Sequence, residues 1–321
     1  MKHSLRVTIW LILFFLISQI IGLFVISSYI SVEHIEKIDL LTNETYTVKE
    51  TVPLDLPNQM ERPRFNTPLA FISYLVIAII IATILFLFLV KLKTVMIWKL
   101  WFFFAVFLCL TIAFAAFMPQ IIATLLGLGL ALWKIFKPNI LVHNLTELFI
   151  YGGLAAILVP ISIVNEYVII IVLLLMSCYD AYAVWKSKHM VKMAQFQAKS
   201  KVFAGLLVPY AKEKKVKVSK KTKKVSTKGK VKIKGIKTAI LGGGDIAFPL
   251  LFSGAVLKSM VLVNGFIFGF LKTLIVTLFT AIALGFLFLK GREDRFYPAL
   301  PFLTAGCLIG YGVLLLINFV L

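Results

Sequence analysis

The sequence predicts an all-α polytopic membrane protein with nine transmembrane helices, its N-terminus cytoplasmic and its C-terminus outside. Three observations carry that prediction. Hydrophobic residues make up 60% of the 321 residues against 15% charged, a balance foreign to soluble globular domains. Apolar runs free of Asp, Glu, Lys and Arg recur along the whole chain, at about the 20-residue length that crosses a hydrocarbon core with every backbone group bonded inside the helix. The basic residues, finally, fall mostly in alternate connections, as they do in polytopic proteins whose cytoplasmic loops collect Lys and Arg.

The spans follow in order. The first, Val7–Ile30, opens after Met1-Lys2-His3-Ser4-Leu5-Arg6 like a signal peptide. Its apolar stretch exceeds the roughly 7 to 15 residues of such a segment and has no small-x-small exit, so it reads as a retained span. Leu69–Val90 and Leu100–Met118 are closely coupled second and third spans, and Ile121–Ile135 is a short fourth. Leu145–Val164 and Val168–Trp185 are the fifth and sixth, and Ala239–Val256 the seventh. Met260–Leu271, broken by Asn264 and two glycines, reads as a partly inserted connection to the eighth span, Leu274–Leu289. The ninth, Ala299–Leu321, opens after Pro298, which lacks an N–H and suits a helix start. Residues 1–166 thus form an N-terminal bundle of about five spans and residues 167–321 a second region of about four, with an inner polybasic loop at 186–238.

Charge sets the orientation. With the N-terminus inside, the inner segments hold Lys2 and Arg6, Lys91, Lys93 and Lys99, Lys134 and Lys137, the lysines from Lys186 to Lys237, and Lys290, Arg292 and Arg295. Of the 34 Lys and Arg only Lys37, Lys49, Arg62, Arg64, Lys258 and Lys272 fall elsewhere, leaving 28 inside. Half of the 14 acids lie in one outer loop, from Glu33 to Glu61. This asymmetry places the N-terminus in and the C-terminus out.

The net charge of +20 comes almost wholly from the loop between the sixth and seventh spans. Lys–Val alternation with almost no aromatics over residues 212–237 suits a solvated tether beside anionic lipid headgroups. It offers no stacking platform or folded module for nucleic acid. Cys109, Cys178 and Cys307 lie singly within apolar runs and make neither a disulfide framework nor a metal site. His3, His34, His143 and His189 lie outside the depths of the spans, which excludes a zinc HExxH arrangement and leaves a hydrolytic Ser253 without a base. No metal and no cofactor is expected. Asn43-Glu44-Thr45 matches a glycosylation sequon in the outer loop, while Asn144-Leu145-Thr146 falls on the inner side.

Two acids lie at membrane depth. Asp180 sits in Ser177-Cys178-Tyr179-Asp180-Ala181 and Asp245 in Gly242-Gly243-Gly244-Asp245-Ile246. An aspartate at the centre of a spanning helix costs at least about 2.5 kcal/mol on insertion scales, so each calls for a role. With the sixth span running inward and the seventh outward, both lie roughly 9 Å from the inner edge, level with each other in antiparallel neighbours. Two carboxyl groups facing each other in a low dielectric share a proton. One then deprotonates a water while the other polarises a carbonyl, which is peptide hydrolysis without a metal or a covalent intermediate. On charge placement alone, an ion-translocating pair in an acid-coupled secondary transporter is the alternative, with a membrane scaffold as a third class.

Tyr179-Asp180 in the sixth span, Gly242-Gly243-Gly244-Asp245 in the seventh and Pro298-Ala299-Leu300-Pro301 opening the ninth resemble the YD, GxGD and PAL motifs of the presenilin and signal peptide peptidase family of intramembrane aspartyl proteases. Three short motifs in order, each at its expected place in the span plan, are far more specific than any one alone. The resemblance implies catalytic roles for Asp180 and Asp245 and shaping of the active site by Pro298, Ala299 and Leu300, and makes residues 167–321 the catalytic region. Gly242 and Gly244 permit close backbone approach and loosen the helix before Asp245. Tyr179 either packs at the helix interface or hydrogen-bonds within the site. Gly243 stands where the family commonly has Leu, and Pro249 resembles the signal peptide peptidase branch, whereas the orientation resembles the presenilin branch. Together these features suggest a single-subunit homologue of archaeal type, with the branch open.

Partners follow from the same reading: transmembrane-helix substrates or signal-peptide remnants, the bilayer with its anionic headgroups, no nucleic acid and no obligatory subunits. The location is an integral, multi-pass membrane protein, in the cell membrane if the source is prokaryotic. Glu147 reads as an interfacial acid snorkelling to water rather than a third catalytic group. Val231-Lys232-Ile233-Lys234-Gly235-Ile236 alternates with period two, so Val231 and Ile233 are candidates for a strand that docks unwound substrate, against a simple tether.

Overall fold

The computed structural model describes residues 5–38, 45–92, 94–187, 203–215, 232–291 and 297–320. Among them run nine long helices: α1 (Leu5–Ser27), α2 (Pro68–Leu92), α3 (Val95–Ala115), α4 (Gln120–Phe136), α5 (Ile140–Leu158), α6 (Glu166–Tyr182), α7 (Gly243–Asn264), α8 (Phe266–Lys290) and α9 (Leu300–Val320). Eight are long and apolar enough to cross a membrane, α6 with its extension to Lys186, while α4 is a shorter apolar helix of 17 residues.

Local chemistry fixes several boundaries. The Asn139 side chain accepts from the Leu141 amide and caps α5, and Asn165 caps α6 by accepting from Val168, each satisfying a first-turn donor that a helix cannot pair internally. The Asn139 cap starts α5 at Ile140, five residues ahead of the Leu145 expected from the apolar run, and so places His143 and Glu147 inside the helix. α6 ends in a π-helical turn over Ala183–Ser187.

Three expectations are corrected. The chain is mostly helical but not all-α: β1 (Ile30–Ile38) and β2 (Thr45–Pro53) form one antiparallel hairpin, and β3 (Gly205–Lys215) and β4 (Lys232–Gly242) another. In the first, Ile30 faces Pro53; its strands follow the alternation of Ile30-Ser31-Val32-Glu33 and of Thr45-Tyr46-Thr47-Val48. The second occupies the edges of the segment read as an inner loop, with Gly205 opposite Gly242.

The seventh span begins at Gly243 rather than Ala239. Ala239 and Leu241 are buried at 1% and 2% while Ile240 between them is 47% exposed. This is the period of a strand, hidden in the sequence because all three residues are apolar. The stretch Met260–Leu271, expected as a partly inserted connection, is helix on both sides of Gly265 alone. Gly265 has φ +75°, a left-handed conformation that glycine adopts without strain. Val231, most of the lysine run at 212–237, the sequon at Asn43 and the residues before Leu5 lie outside the described residues.

α7 is the central helix, with 72% of its most apolar window buried against 11% for the peripheral α2. The main core joins Leu11, Phe15 and Leu23 of α1 and Ala155 of α5 to Leu173 of α6, Phe252 of α7, Leu284 of α8 and Leu303 of α9. Between helices in lipid, close packing replaces hydrophobic expulsion as the driving force, and small residues carry it. A Cβ on Gly153 of α5 would stand 2.0 Å from the Cys109 carbonyl oxygen of α3, and one on Gly310 of α9 would stand 2.8 Å from Cα of Val276 on α8.

Candidate active site

Asp180 lies in the last turn of α6, buried at 9% exposure, and α6 packs against both α7 and α9. Its Oδ2 accepts a hydrogen bond of 3.1 Å from the Leu300 amide, with the Ala299 amide also close to the carboxyl. The reason lies in how α9 starts. The amides of Phe302 and Leu303 both turn back to the Ala299 carbonyl oxygen at 3.1 Å, and Pro301 has no N–H. The first-turn donors that remain point at Asp180, so an aspartate from another helix completes the cap of α9. One turn earlier, Ser177 and Thr304 share a 2.7 Å hydroxyl contact that ties the same two helices. Pro298 is buried beside this start and Leu300 is 3% exposed.

Asp245 is the third residue of α7, in the first turn, three residues beyond the end of β4. From that position an acid side chain folds back toward the helix cap. A Cβ on the capping residue Gly242 would indeed lie only 3.2 Å from Asp245 Oδ2. Four residues on, Pro249 interrupts the helix's own hydrogen bonding at the Asp245 carbonyl. Next to it the Gln19 side-chain amide of α1 donates to the Ile246 carbonyl oxygen at 2.9 Å.

The glycines divide the work differently from expectation. Gly244 has nothing closer than 3.8 Å to where a Cβ would be, whereas at Gly243 a Cβ would stand 2.7 Å from the Tyr151 hydroxyl. Gly243 is thus the position where a side chain would displace the phenol of α5, which presses on the strand-to-helix junction. Tyr179 points its hydroxyl at Thr83 of α2, 3.2 Å away. Ile233 lies in β4 opposite Lys214, so a strand does form over this part of the alternating segment.

A second polar group, missed in the sequence, adjoins the Asp245 junction. Lys134 of α4 and Glu147 of α5 form an ion pair at 2.5 Å with side chains 2% and 1% exposed. Glu147 is therefore no snorkelling interfacial acid, and Lys134 does not sit in an inner loop. Thr146 also accepts from Lys134, at 3.0 Å. Glu147 Oε2 accepts from the Tyr151 hydroxyl and, at 2.9 Å, from the Gly205 amide. The signal was present as a stripe of polar residues at helical spacing, His143, Asn144, Glu147 and Tyr151, on one face of an apolar helix. Among the described residues no group of three or more His, Cys, Asp or Glu could hold a metal ion.

Eight helices of membrane-spanning length, with Asp180 in the last turn of α6 and Asp245 in the first turn of the adjoining α7, define the class: an integral, multi-pass membrane protein. The family model for signal-peptide peptidase and presenilin aspartyl proteases matches residues 21–320, and the chain belongs to that family, whose members are intramembrane aspartic proteases. Two solved structures, both of a presenilin family intramembrane aspartate protease, share the fold. One, in space group C222, has a TM-score of 0.57 at 16% identity and covers 95% of this chain and 97% of its own. The other, in space group P2, has a TM-score of 0.55 at 17% identity and covers 96% of each chain. No individual curated protein matches the sequence.

Proposed function

We propose that the protein hydrolyses peptide bonds within the transmembrane helices of other membrane proteins, or within signal-peptide remnants, with Asp180 and Asp245 as the catalytic pair. The observation that carries this reading is the cap on α9: the Pro298-Ala299-Leu300 start directs a backbone amide at Asp180 Oδ2. The acid is thereby held at the interface of three helices rather than left to rotate. Asp245 lies in the first turn of α7, the helix that packs against α6, and the reading takes it as the second acid.

In the proposed reaction the pair carries one proton between two carboxyl groups. The ionised member takes a proton from water as that water attacks the scissile carbonyl, and the protonated member donates toward the carbonyl oxygen. The hydrated intermediate collapses when the proton taken from water passes to the leaving amine, while the carboxyl that had donated takes a proton back from a hydroxyl of the intermediate and the pair again holds one proton. Leu300 and Ala299 orient one carboxyl through their amides, Pro298 sets where α9 starts, and Gly242 and Gly244 with Gly243 give the backbone room before Asp245. Tyr179 ties α6 to α2 beside the acid.

A peptide bond inside a helix is shielded by its own hydrogen bonds, so substrate must be unwound and its backbone groups paired elsewhere. The β3–β4 hairpin enters α7 directly and supplies a strand edge for that purpose. Ile233 lies on the arm that would meet substrate, and Val231, outside the described residues, is proposed to take part in the docking. Counting α4, nine spans with the N-terminus cytoplasmic, the C-terminus outside and the 212–237 lysines at anionic headgroups complete the arrangement. Residues 1–166 act as a supporting bundle, residues 167–321 as the catalytic region, and one chain suffices.

The test is cleavage of a single-span substrate by detergent-solubilised protein. Wild type should cut, and Asp180→Ala and Asp245→Ala should not. Cleavage that survives either substitution, or acid-driven solute transport without cleavage, would sink the reading.

A further inference from the structure

The Lys134–Glu147 pair serves no chemistry in the reaction just described, yet it is among the costliest features of the fold. Placing a lysine and a glutamate at 2% and 1% exposure removes both from water, and apolar residues of similar volume would pack the same space at less cost. Its contacts show what the charge is used for. One Glu147 oxygen meets Lys134, and the other accepts from Tyr151 and from the Gly205 amide. Gly205 is the first residue of β3.

Two neighbours on the same face of α5 bind the next groups of that strand. His143 Nε2 lies 2.8 Å from the Gly205 carbonyl oxygen, which can only accept, so Nε2 carries the proton. Asn144 exchanges two hydrogen bonds with Leu207, donating to its carbonyl at 2.7 Å and accepting from its amide at 2.9 Å. The polar contacts of this stripe with β3 thus fall on Gly205 and Leu207. Gly205 in turn pairs with Gly242 across the hairpin, and the Gly243 amide donates to the Ala204 carbonyl at 3.2 Å. The Tyr151 hydroxyl, bonded to Glu147, abuts Gly243. Two residues further on stands Asp245.

We propose that the buried Lys134–Glu147–Tyr151 cluster, extended by His143 and Asn144, is a positioning device for Asp245: it clamps the start of β3 and, through the Gly205–Gly242 pairing, fixes the strand-to-helix junction that aims the carboxyl. Lys134 holds the Glu147 carboxyl correctly turned; Glu147, His143 and Asn144 hold the strand; Tyr151 presses the junction. These are positioning residues, and their role rests on the reading of Asp245 as a catalytic acid.

Three variants test it. K134M/E147L removes both charges, so no uncompensated ion remains buried, but leaves the Gly205 amide without its acceptor. K134M/E147Q also removes both charges and restores an acceptor. Asn144→Leu removes the Leu207 bonds without touching any charge. The readouts are kcat and KM on a single-span substrate, thermal unfolding in detergent, and amide exchange over residues 205–207 and 241–243. K134M/E147L should stay folded, exchange faster at those two segments and not in α9, and lose roughly 10- to 100-fold in kcat with KM little changed, as a small displacement of a catalytic group does. K134M/E147Q should regain most of the kcat and the slow exchange. Asn144→Leu should move the same two readouts in the same direction by less.

Wild-type kcat in a folded K134M/E147L overturns the clamp. So do equal losses in both double variants with exchange at residues 205–207 unchanged. Should K134M/E147L fail to fold, Asn144→Leu decides: wild-type kcat and exchange overturn the proposal, slowed cleavage with faster exchange supports it. Asp245→Ala, run alongside, keeps the two ideas apart. If it still cuts, the aspartate-pair reading fails and the purpose of the clamp with it. If it is dead while a folded K134M/E147L cuts normally, only the clamp fails.

Discussion

The Leu300 amide reaches Asp180 Oδ2 across 3.1 Å, joining residues 120 positions apart. The acid proposed to activate water is thereby also a helix cap, and its two duties can be separated. Asparagine keeps an acceptor for the amide and loses the titratable group; alanine loses both. Asp180→Asn and Asp180→Ala should each abolish cleavage, but only Ala should lower stability, by about 1 kcal/mol, the usual worth of a cap. Thermal unfolding beside the cleavage assay checks this. Equal melting of the two variants would mean the cap contributes nothing. Asp180→Glu and Asp245→Glu should fail in cleavage too, because the extra methylene displaces the carboxyl by about an ångström.

The amide itself can be removed. Proline is tolerated in the first position of a helix, so Leu300→Pro deletes the donor while leaving α9 its start. Because Leu300 is also buried, Leu300→Val serves as the control for lost side-chain volume. Cleavage by Leu300→Pro should fall roughly 10- to 100-fold below that of Leu300→Val, less than the roughly 100- to 1,000-fold lost with a donor to the reacting oxygen itself, because this amide orients the acid and does not touch substrate. Equal kcat in the two would show that the bond is incidental to catalysis.

A proton shared as proposed should give the activity a bell-shaped pH profile. Below the lower apparent pKa both carboxyls are protonated and no base remains; above the upper one both are ionised and no acid remains. The two values belong to the pair and not to either residue. A flat profile across the acid and neutral range, in protein shown to be folded throughout, would argue against the shared proton. Compounds that mimic the hydrated carbonyl should inhibit and chelators should not.

Substrate docking turns on backbone rather than charge. Ile233→Pro and Val231→Pro delete a donor each, whereas Lys232→Gln and Lys234→Gln remove charge and keep the backbone. The proline variants should slow cleavage strongly and the glutamine variants little, measured as kcat/KM on one substrate in the same detergent. The reverse ranking would assign the segment to headgroup attraction.

Much of this architecture was legible in the sequence, and what was missed has physical causes. Asp180, Asp245 and the Pro298-Ala299-Leu300 start stood out because acids and an early proline are costly inside apolar runs. The strand at Ala239–Gly242 did not, since Ile240 is as apolar as its buried neighbours and a run with no polar member shows no period. Glu147 was misjudged because its partner Lys134 belongs to a different helix, 13 residues away, and pairing across helices leaves no trace in either run. Gln19 escaped for a similar reason. A lone amide in the first span says nothing of a carbonyl 227 residues on.

The sequence separation of the Asp180–Leu300 bond carries a consequence in time. The α7–α8 hairpin, turning on Gly265 alone, can form from local contacts as soon as its residues are made. The bond at Asp180 cannot, because its donor belongs to α9, 120 positions further along the chain. A nascent chain synthesised from its N-terminus has both aspartates in the bilayer while residue 300 is still to come. An unoriented acid pair at that stage lacks the geometry to cut its own half-inserted neighbours. On the proposed reading of the two acids, competence arrives with α9, so the making of that helix is the event that arms the enzyme.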